Sequence, residues 1–298
     1  MPSVALRLRH VKSKIKWAKK HIVELDQAWG AFKKSNPYVL GTKLHPKTKR
    51  RIYYIASAMR VPILFSLLAG GAIQALVSAL DYLAYELVRS HTGVDLPPNF
   101  RDIQFPVADT AKKYRARRGR VIRGASRAAI KAINALKPYK RGNRLLWTLA
   151  RLNNIDKHRL LMTAAAGVIQ LKYVPPTPPG WRGAPMAQLA IWLDFKHPVF
   201  PVEQGSELFI DLPNAEINDQ IQFRVQIAIR EIEAGIVKPQ PLIDTLHQFT
   251  TLVEGIVGAL TPCLRSTPDT RGHGRRRGTP AGVRQSSSGT PSKSSNTP

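Results

Sequence analysis

Within the run Arg151-Leu152-Asn153-Asn154-Ile155-Asp156-Lys157-His158-Arg159, a guanidinium, an amide and an imidazole recur at spacings of three and four. On an α-helix, residues seven apart lie two turns apart on one face, so Arg151, Asn154 and His158 would share a stripe. Such a set suits attack on a phosphodiester. His158 would act as general base on a ribose 2′-hydroxyl while Arg151 stabilises charge developing on the phosphate. A second reading fits the same residues: a polar network inside a helical bundle, with Asp156 pairing with Arg159 or Lys157 and His158 satisfying a carbonyl. Spacing alone does not choose between them, since a chain with 8 His and 46 Lys+Arg produces such Arg-to-His intervals by chance.

The charge balance points toward polyanions. Against 46 Lys+Arg stand 19 Asp+Glu, a formal net charge of +27, which favours RNA, DNA or an anionic membrane face as partner. The densest basic stretch carries Lys112, Lys113, Arg115, Arg117, Arg118, Arg120, Arg123, Arg127 and Lys131, the best candidate for a surface that tracks phosphates. It also reads as a solvated helix face. Tyr114 is the one aromatic residue there, so base stacking is not indicated, and backbone electrostatics without sequence reading would dominate.

Other chemistries find little support. His10, His21, His45, His91, His197, His247 and His273 are scattered without ligand spacing, so no metal site is expected. Gly70-Gly71 sits inside an apolar run rather than after a strand, no nucleophile elbow is visible, and no cofactor is expected. Cys263 is the single cysteine, which excludes an intrachain disulfide and fits a reducing, cytoplasmic setting. Arg7, Arg9, Lys12, Lys14 and Lys16 interrupt any apolar run at the N-terminus, so no signal-peptide core is present.

The elements that must position these residues follow from periodicity. Leu8, Val11, Ile15, Ala18, Ile22, Leu25, Trp29 and Phe32 form the seam of a long amphipathic helix. Tyr38–Leu44 and Arg51–Ala58 flank His45-Pro46 and predict a hairpin. Val61–Leu80 carries no charge over twenty residues and is long enough to span a bilayer. Ser66, Gly70, Gln74 and Ser78 recur every fourth residue there, however, which favours a core helix from about Pro62 to Ser90 over a membrane span.

Arg120–Leu136 reads as one helix with a nearly continuous basic face of Arg120, Arg123, Arg127 and Lys131, ended by Pro138. Asn143 is the expected N-cap of a helix running to about Ala166. Beyond Gly167 the period becomes two. Ile221–Arg230, Ala187–Phe195 and Leu208–Leu212 read as strands of one small antiparallel sheet. Pro239 and Pro241 introduce a closing helix with Leu242, Leu246, Phe249, Val253, Ile256 and Leu260 on one side.

The expected fold is therefore α+β and mostly α: a helical bundle with a small antiparallel sheet inserted before the last helix. A single domain over 1–265 (helical 1–166, β-rich 167–232, closing helix 240–261) precedes a disordered Arg/Ser/Pro-rich tail over 266–298, too poor in apolar residues to offset the entropy of ordering.

Asn153-Asn154-Ile155-Asp156-Lys157-His158-Arg159, preceded by Pro138-Tyr139 and Leu146-Trp147, together with Ser78-Ala79-Leu80-Asp81-Tyr82-Leu83 and Phe105-Pro106, resembles a widespread family of uncharacterised bacterial proteins over about residues 60–260. That resemblance implies a shared fold rather than an activity. More distantly, an arginine followed by histidine late in a helical bundle resembles the HEPN superfamily, many of whose members are RNases. The likeness implies a composite site formed across a homodimer by Arg151 and His158. The chain departs from that pattern in Leu152, where those nucleases carry a polar residue, and in Gln74, Ala75 and Val77, where relatives show His, Asn and Arg. The expectation is a metal-independent, RNA-directed protein, with Arg151, Asn154 and His158 as catalytic groups, Asp156, Lys157, Arg159 and Asp81 as a supporting polar network, and Arg115–Lys131 gripping phosphates. The alternative is a non-enzymatic structural or interaction protein held together by the same polar run, and a minor one is a membrane-associated protein anchored through Val61–Leu80.

Overall fold

The computed structural model describes residues 3–159, 164–173, 191–210 and 221–265. The side chains of His158 and Arg159 lie outside the described residues, as do Leu160 and the tail from 266. Internal contacts divide the chain into Met1–Thr267 and Pro268–Pro298.

The first unit is mostly α, with antiparallel strands before the last helix. A short helix α1 (Val4–Arg7) leads into α2 (Arg9–Lys34). All eight residues of the predicted seam are buried, Val11, Ala18 and Leu25 completely. They pack along α3 (Ile63–Thr92), which also contacts α6 (Arg144–Arg159) and α7 (Leu242–Leu260). Among the described residues α3 is the one helix long and apolar enough to cross a membrane. More than half of it is buried among the other helices, and its first turn leaves Ile63, Leu64 and Leu67 exposed.

Glycines let neighbours reach α3 closely on two sides. A Cβ on Gly70 would stand 2.7 Å from Asp156 Oδ2 of α6, and one on Gly71 would stand 3.1 Å from His21 Nε2 of α2. Near the other end of α3, Arg7 donates to Glu86 at 3.2 Å, and both side chains are nearly sealed from solvent.

The basic stretch is two helices, not one. Thr110 caps α4 (Ala111–Val121) by accepting from the Lys113 N–H, and Ser126 caps α5 (Arg127–Ala135) by accepting from the Ala129 N–H. Between them Gly124 adopts φ +94°, a conformation other residues resist. Two α4 side chains then clasp α5: the Tyr114 hydroxyl and Arg118 Nη1 both donate to Asn134 Oδ1, at 2.7 and 2.8 Å.

The strands form two antiparallel sheets, and the short strand expected beside the later ones joins the hairpin instead. β1 (Tyr38–Leu44) and β2 (Arg51–Ala58) make the predicted hairpin, and β5 (Glu207–Ile210) adds to β2. The second sheet has the order β4-β3-β6-β7, built from β3 (Ala164–Tyr173), β4 (Ile191–Val199), β6 (Ile221–Glu231) and β7 (Ile236–Pro241). It contacts α7 through β6 and β7, and Ile227, Ala228 and Ile229 of β6 are buried.

Two boundaries differ from expectation. The helix predicted to reach Ala166 ends at Arg159, and Ala164–Ala166 pair in register with Ile227–Ile229; an alanine run has no period of its own, and cross-strand partners decide it. The strand predicted over Ala187–Phe195 runs Ile191–Val199, with 187–190 outside the described residues. Pro239 and Pro241 lie in edge strand β7, where a missing N–H is tolerated, and Pro241 is also the N-cap of α7, so they introduce the closing helix as predicted.

Candidate functional site

The site is organised by α6. Asn143 caps it as expected, its side chain accepting from the Leu146 N–H at 3.0 Å. Leu146, Leu149, Leu152 and Ile155 are buried in the bundle core. A second stripe grips the turn between β6 and β7: Arg144 Nη2 donates to the Gly235 carbonyl at 2.6 Å, the Thr148 hydroxyl to the Ala234 carbonyl at 2.9 Å, and Arg151 Nη2 to Glu233 at 3.2 Å. Between these faces α6 presents Trp147, Ala150, Asn154 and Lys157 to two adjoining cavities.

The outer cavity is an open cleft of about 300 Å³ between α4 and α6. Four cationic side chains line it, Lys113, Arg117, Arg120 and Arg151, against one carboxylate, Asp109, so 4 − 1 leaves three positive charges. Asp109 is already engaged. Its carboxylate accepts from Trp147 Nε1 at 3.1 Å and pairs with Lys113 at 3.5 Å. The indole hydrogen bond above all, with Lys113 beside it, holds that carboxyl below the ordinary aspartate range. Arg151 remains accessible despite its pair, with side-chain exposures of 41% for Arg151 and 38% for Glu233. A phosphate entering here would meet cations held on two helices at little cost in displaced partners.

The inner cavity, about 220 Å³, shares Val107, Arg117, Ala150 and Asn154 with the outer one. Leu80, Phe105, Leu146 and Leu149 supply apolar wall. Polar groups come from Asp81 on α3, Gln104 on the loop before α4, and Asn153, Asn154 and Lys157 on α6. Asp81 Oδ1 accepts from the Phe105 N–H at 2.8 Å. Burial pushes this carboxyl above its ordinary range, opposed by that hydrogen bond and by the charges of Lys157 and Arg117. Arg117 in turn donates to Gln104 Oε1 at 2.7 Å, which fixes the guanidinium at the junction of the two cavities.

The residues singled out from sequence thus divide into three groups. Arg151 and Asn154 stand in the outer cleft, joined by Arg117 and Arg120 of the basic stretch, so two separately predicted features converge. Asp81 and Lys157 share the inner cavity, while Asp156 is half-buried against Gly70. The side chains of His158 and Arg159 lie outside the described residues.

The continuous basic face is not formed. The turn at Ile122–Ser126 separates Arg120 from Arg127 and Lys131, and Arg115, Arg123, Arg127 and Lys131 are exposed away from the cleft lining. Arg118 is turned to Asn134. Sequence reasoning missed Asp109, Gln104, Asn153 and Glu233. Of these only Glu233 had a local signal, the i, i+4, i+7 stripe of Arg144, Thr148 and Arg151 that needed something to hold.

No metal-binding group of three or more His, Cys, Asp or Glu occurs among the described residues. No family model matches the chain, and neither a curated protein nor a solved structure matches it.

Proposed function

We propose that this chain binds the sugar-phosphate backbone of RNA in the cleft between α4 and α6, as a basic helical protein of HEPN-like character. The observation that supports this most is the convergence of Lys113, Arg117, Arg120 and Arg151 on one open cleft of about 300 Å³. Neutralising phosphates with such a set releases counterions and makes affinity fall with salt. In the catalytic form of the proposal, His158 takes the proton of a ribose 2′-hydroxyl as its oxygen bonds to phosphorus. The bond to the 5′-oxygen breaks, that oxygen takes a proton from solvent water, and Arg151 and Asn154 stabilise the charge on the non-bridging oxygens. A homodimer that brings a second copy of this face to the RNA belongs to the same proposal.

The test is binding of single-stranded RNA across a salt series, followed by cleavage in buffer without added metal. Four phosphate contacts predict a log–log slope of about −3, reduced to about −1.5 in the double variant Arg117→Ala/Arg120→Ala. An unchanged slope in that variant would remove the cleft from the binding surface. Cleavage by the native chain that disappears in a folded His158→Ala variant supports the catalytic form, and equal cleavage by the variant overturns it.

A second reading has its own support. Asp156 packs against Gly70 and Asn153 is only 3% exposed, so part of the polar run serves helix packing. On that reading the chain is a non-enzymatic interaction protein, and Asp156→Ala unfolds it without any separate effect on RNA.

A further inference from the structure

We infer that the inner cavity receives a nucleobase with an imino N–H, guanine or uracil, from a nucleotide whose phosphate occupies the outer cleft. The inference rests on the phosphate reading above and adds to it what the adjoining space would recognise. At about 30 Å³ per water, a cavity of about 220 Å³ has the room of about seven waters, which suits one ring system and not a whole nucleotide. Its flat faces would lie against Leu80, Phe105 and Leu149.

Two polar groups in the wall carry the argument. Asn153 is 3% exposed and lines the cavity beside Asn154. An amide at a cavity wall can both donate to and accept from a group that enters. Asp81 uses one oxygen to hold the Phe105 N–H and has no protein donor for the other among the described residues.

An ionised carboxylate only accepts, so its counterpart must be an N–H. Guanine N1 and uracil N3 carry one, next to carbonyl oxygens that the amides of Asn153 and Asn154 can donate to. Adenine N1 and cytosine N3 present a lone pair at the same place, which a carboxylate repels, so those bases could reach it only through the exocyclic N6 or N4 amino group, displaced from that position. Because Arg117 and Asn154 line both cavities, base and phosphate of one residue can be held together. A base paired in a duplex has its edge occupied, so the ligand is a free nucleotide or an unpaired residue of RNA.

The experiment is a calorimetric titration of the full chain at low salt with GMP, UMP, AMP, CMP and inorganic phosphate, then with single-stranded oligomers of each base. GMP and UMP, or their oligomers, are expected to bind about tenfold or more tightly than the adenine and cytosine counterparts. Preference among mononucleotides identifies a free nucleotide as a sufficient source, whereas preference among oligomers alone identifies RNA. Asp81→Asn keeps an oxygen for the Phe105 N–H and adds a donor, so it should bring the four bases within about twofold. The comparison on the native chain stands even if that variant does not fold.

Equal binding of all four bases with the salt slope intact would overturn this inference and leave the phosphate reading standing. Persistence of the preference in folded Asp81→Asn would remove Asp81 from it. Absence of binding to any RNA or nucleotide would remove both.

Discussion

Two Arg–Glu pairs in this molecule have the same separation and opposite surroundings. Arg7 and Glu86 meet at 3.2 Å with side-chain exposures of 6% and 10%, and Arg151 and Glu233 meet at 3.2 Å with exposures of 41% and 38%. The first pair joins α1 to the far part of α3, and Glu86 also meets Arg89. With so little water available, each stands in for the other's solvent, and removing Glu86 would strand the Arg7 charge. The second pair stands at the mouth of the cationic cleft, where water and salt already compete for both groups. Distance therefore says little about role. Burial decides whether a guanidinium belongs to the fold or is available to a ligand.

The sharpest way to break this comparison is Glu86→Ala. Stability to urea should fall by about 3–5 kcal/mol, because Arg7 is left buried and unpaired; a variant as stable as the native chain would show that the buried pair is no more committed than the exposed one. Gly70→Ala probes the other close approach to α3. The added methyl meets the Asp156 carboxylate, and overpacking less the gain in helix propensity should leave a net loss of about 1–2 kcal/mol by the same measurement.

Asp81 lies between the two extremes, largely buried but facing a cavity, and it sharpens the comparison through pH. Its folded pKa is raised above the ordinary 3.8, so the folded state holds this proton more tightly than the unfolded chain. The group therefore favours folding most at low pH, and that contribution fades as pH rises through the window above 3.8. Native stability measured relative to Asp81→Asn should fall across that window and then level off; a difference that rises with pH contradicts the assignment.

The smallest effect belongs to the exposed pair. Glu233→Gln should change stability by less than about 1 kcal/mol, while freeing Arg151 and raising RNA affinity by about twofold to fivefold at low salt. A large loss of stability would place Arg151 with Arg7 rather than with the cleft.

What the sequence made legible was whatever depends on near neighbours. The α2 seam from Leu8 to Phe32 and the α7 stripe from Leu242 to Leu260 are buried as their periodicity predicts. The hairpin around His45-Pro46 and the Asn143 cap also stand where local chemistry puts them. The break between α4 and α5 was hidden because Gly124 interrupts a pattern whose apolar positions, Ile122, Ala125, Ala129 and Ile133, are all buried on either side of it. The identity of β3 was hidden because Ala164–Ala166 become strand only through β6, about sixty residues later in the chain.

The candidate site was half legible for the same reason. Arg151, Asn154, Asp81 and the basic stretch could be named from residue type. That Arg117 and Arg120 meet Arg151, that Asp81 opens on the same cavity as Lys157, and that Glu233 reaches Arg151 all depend on contacts between distant segments.

The double hold of Tyr114 and Arg118 on Asn134 has a consequence for how fast and how cheaply the proposed ligand would be taken up. Helix α4, carrying Lys113, Arg117 and Arg120, is pinned to its neighbour before anything arrives. The freedom that a mobile basic arm surrenders on contact has here been given up during folding. If the cleft takes up phosphate as proposed, capture would resemble an anion settling into a rigid socket, governed by diffusion and long-range attraction rather than by the slow arrangement of a floppy segment.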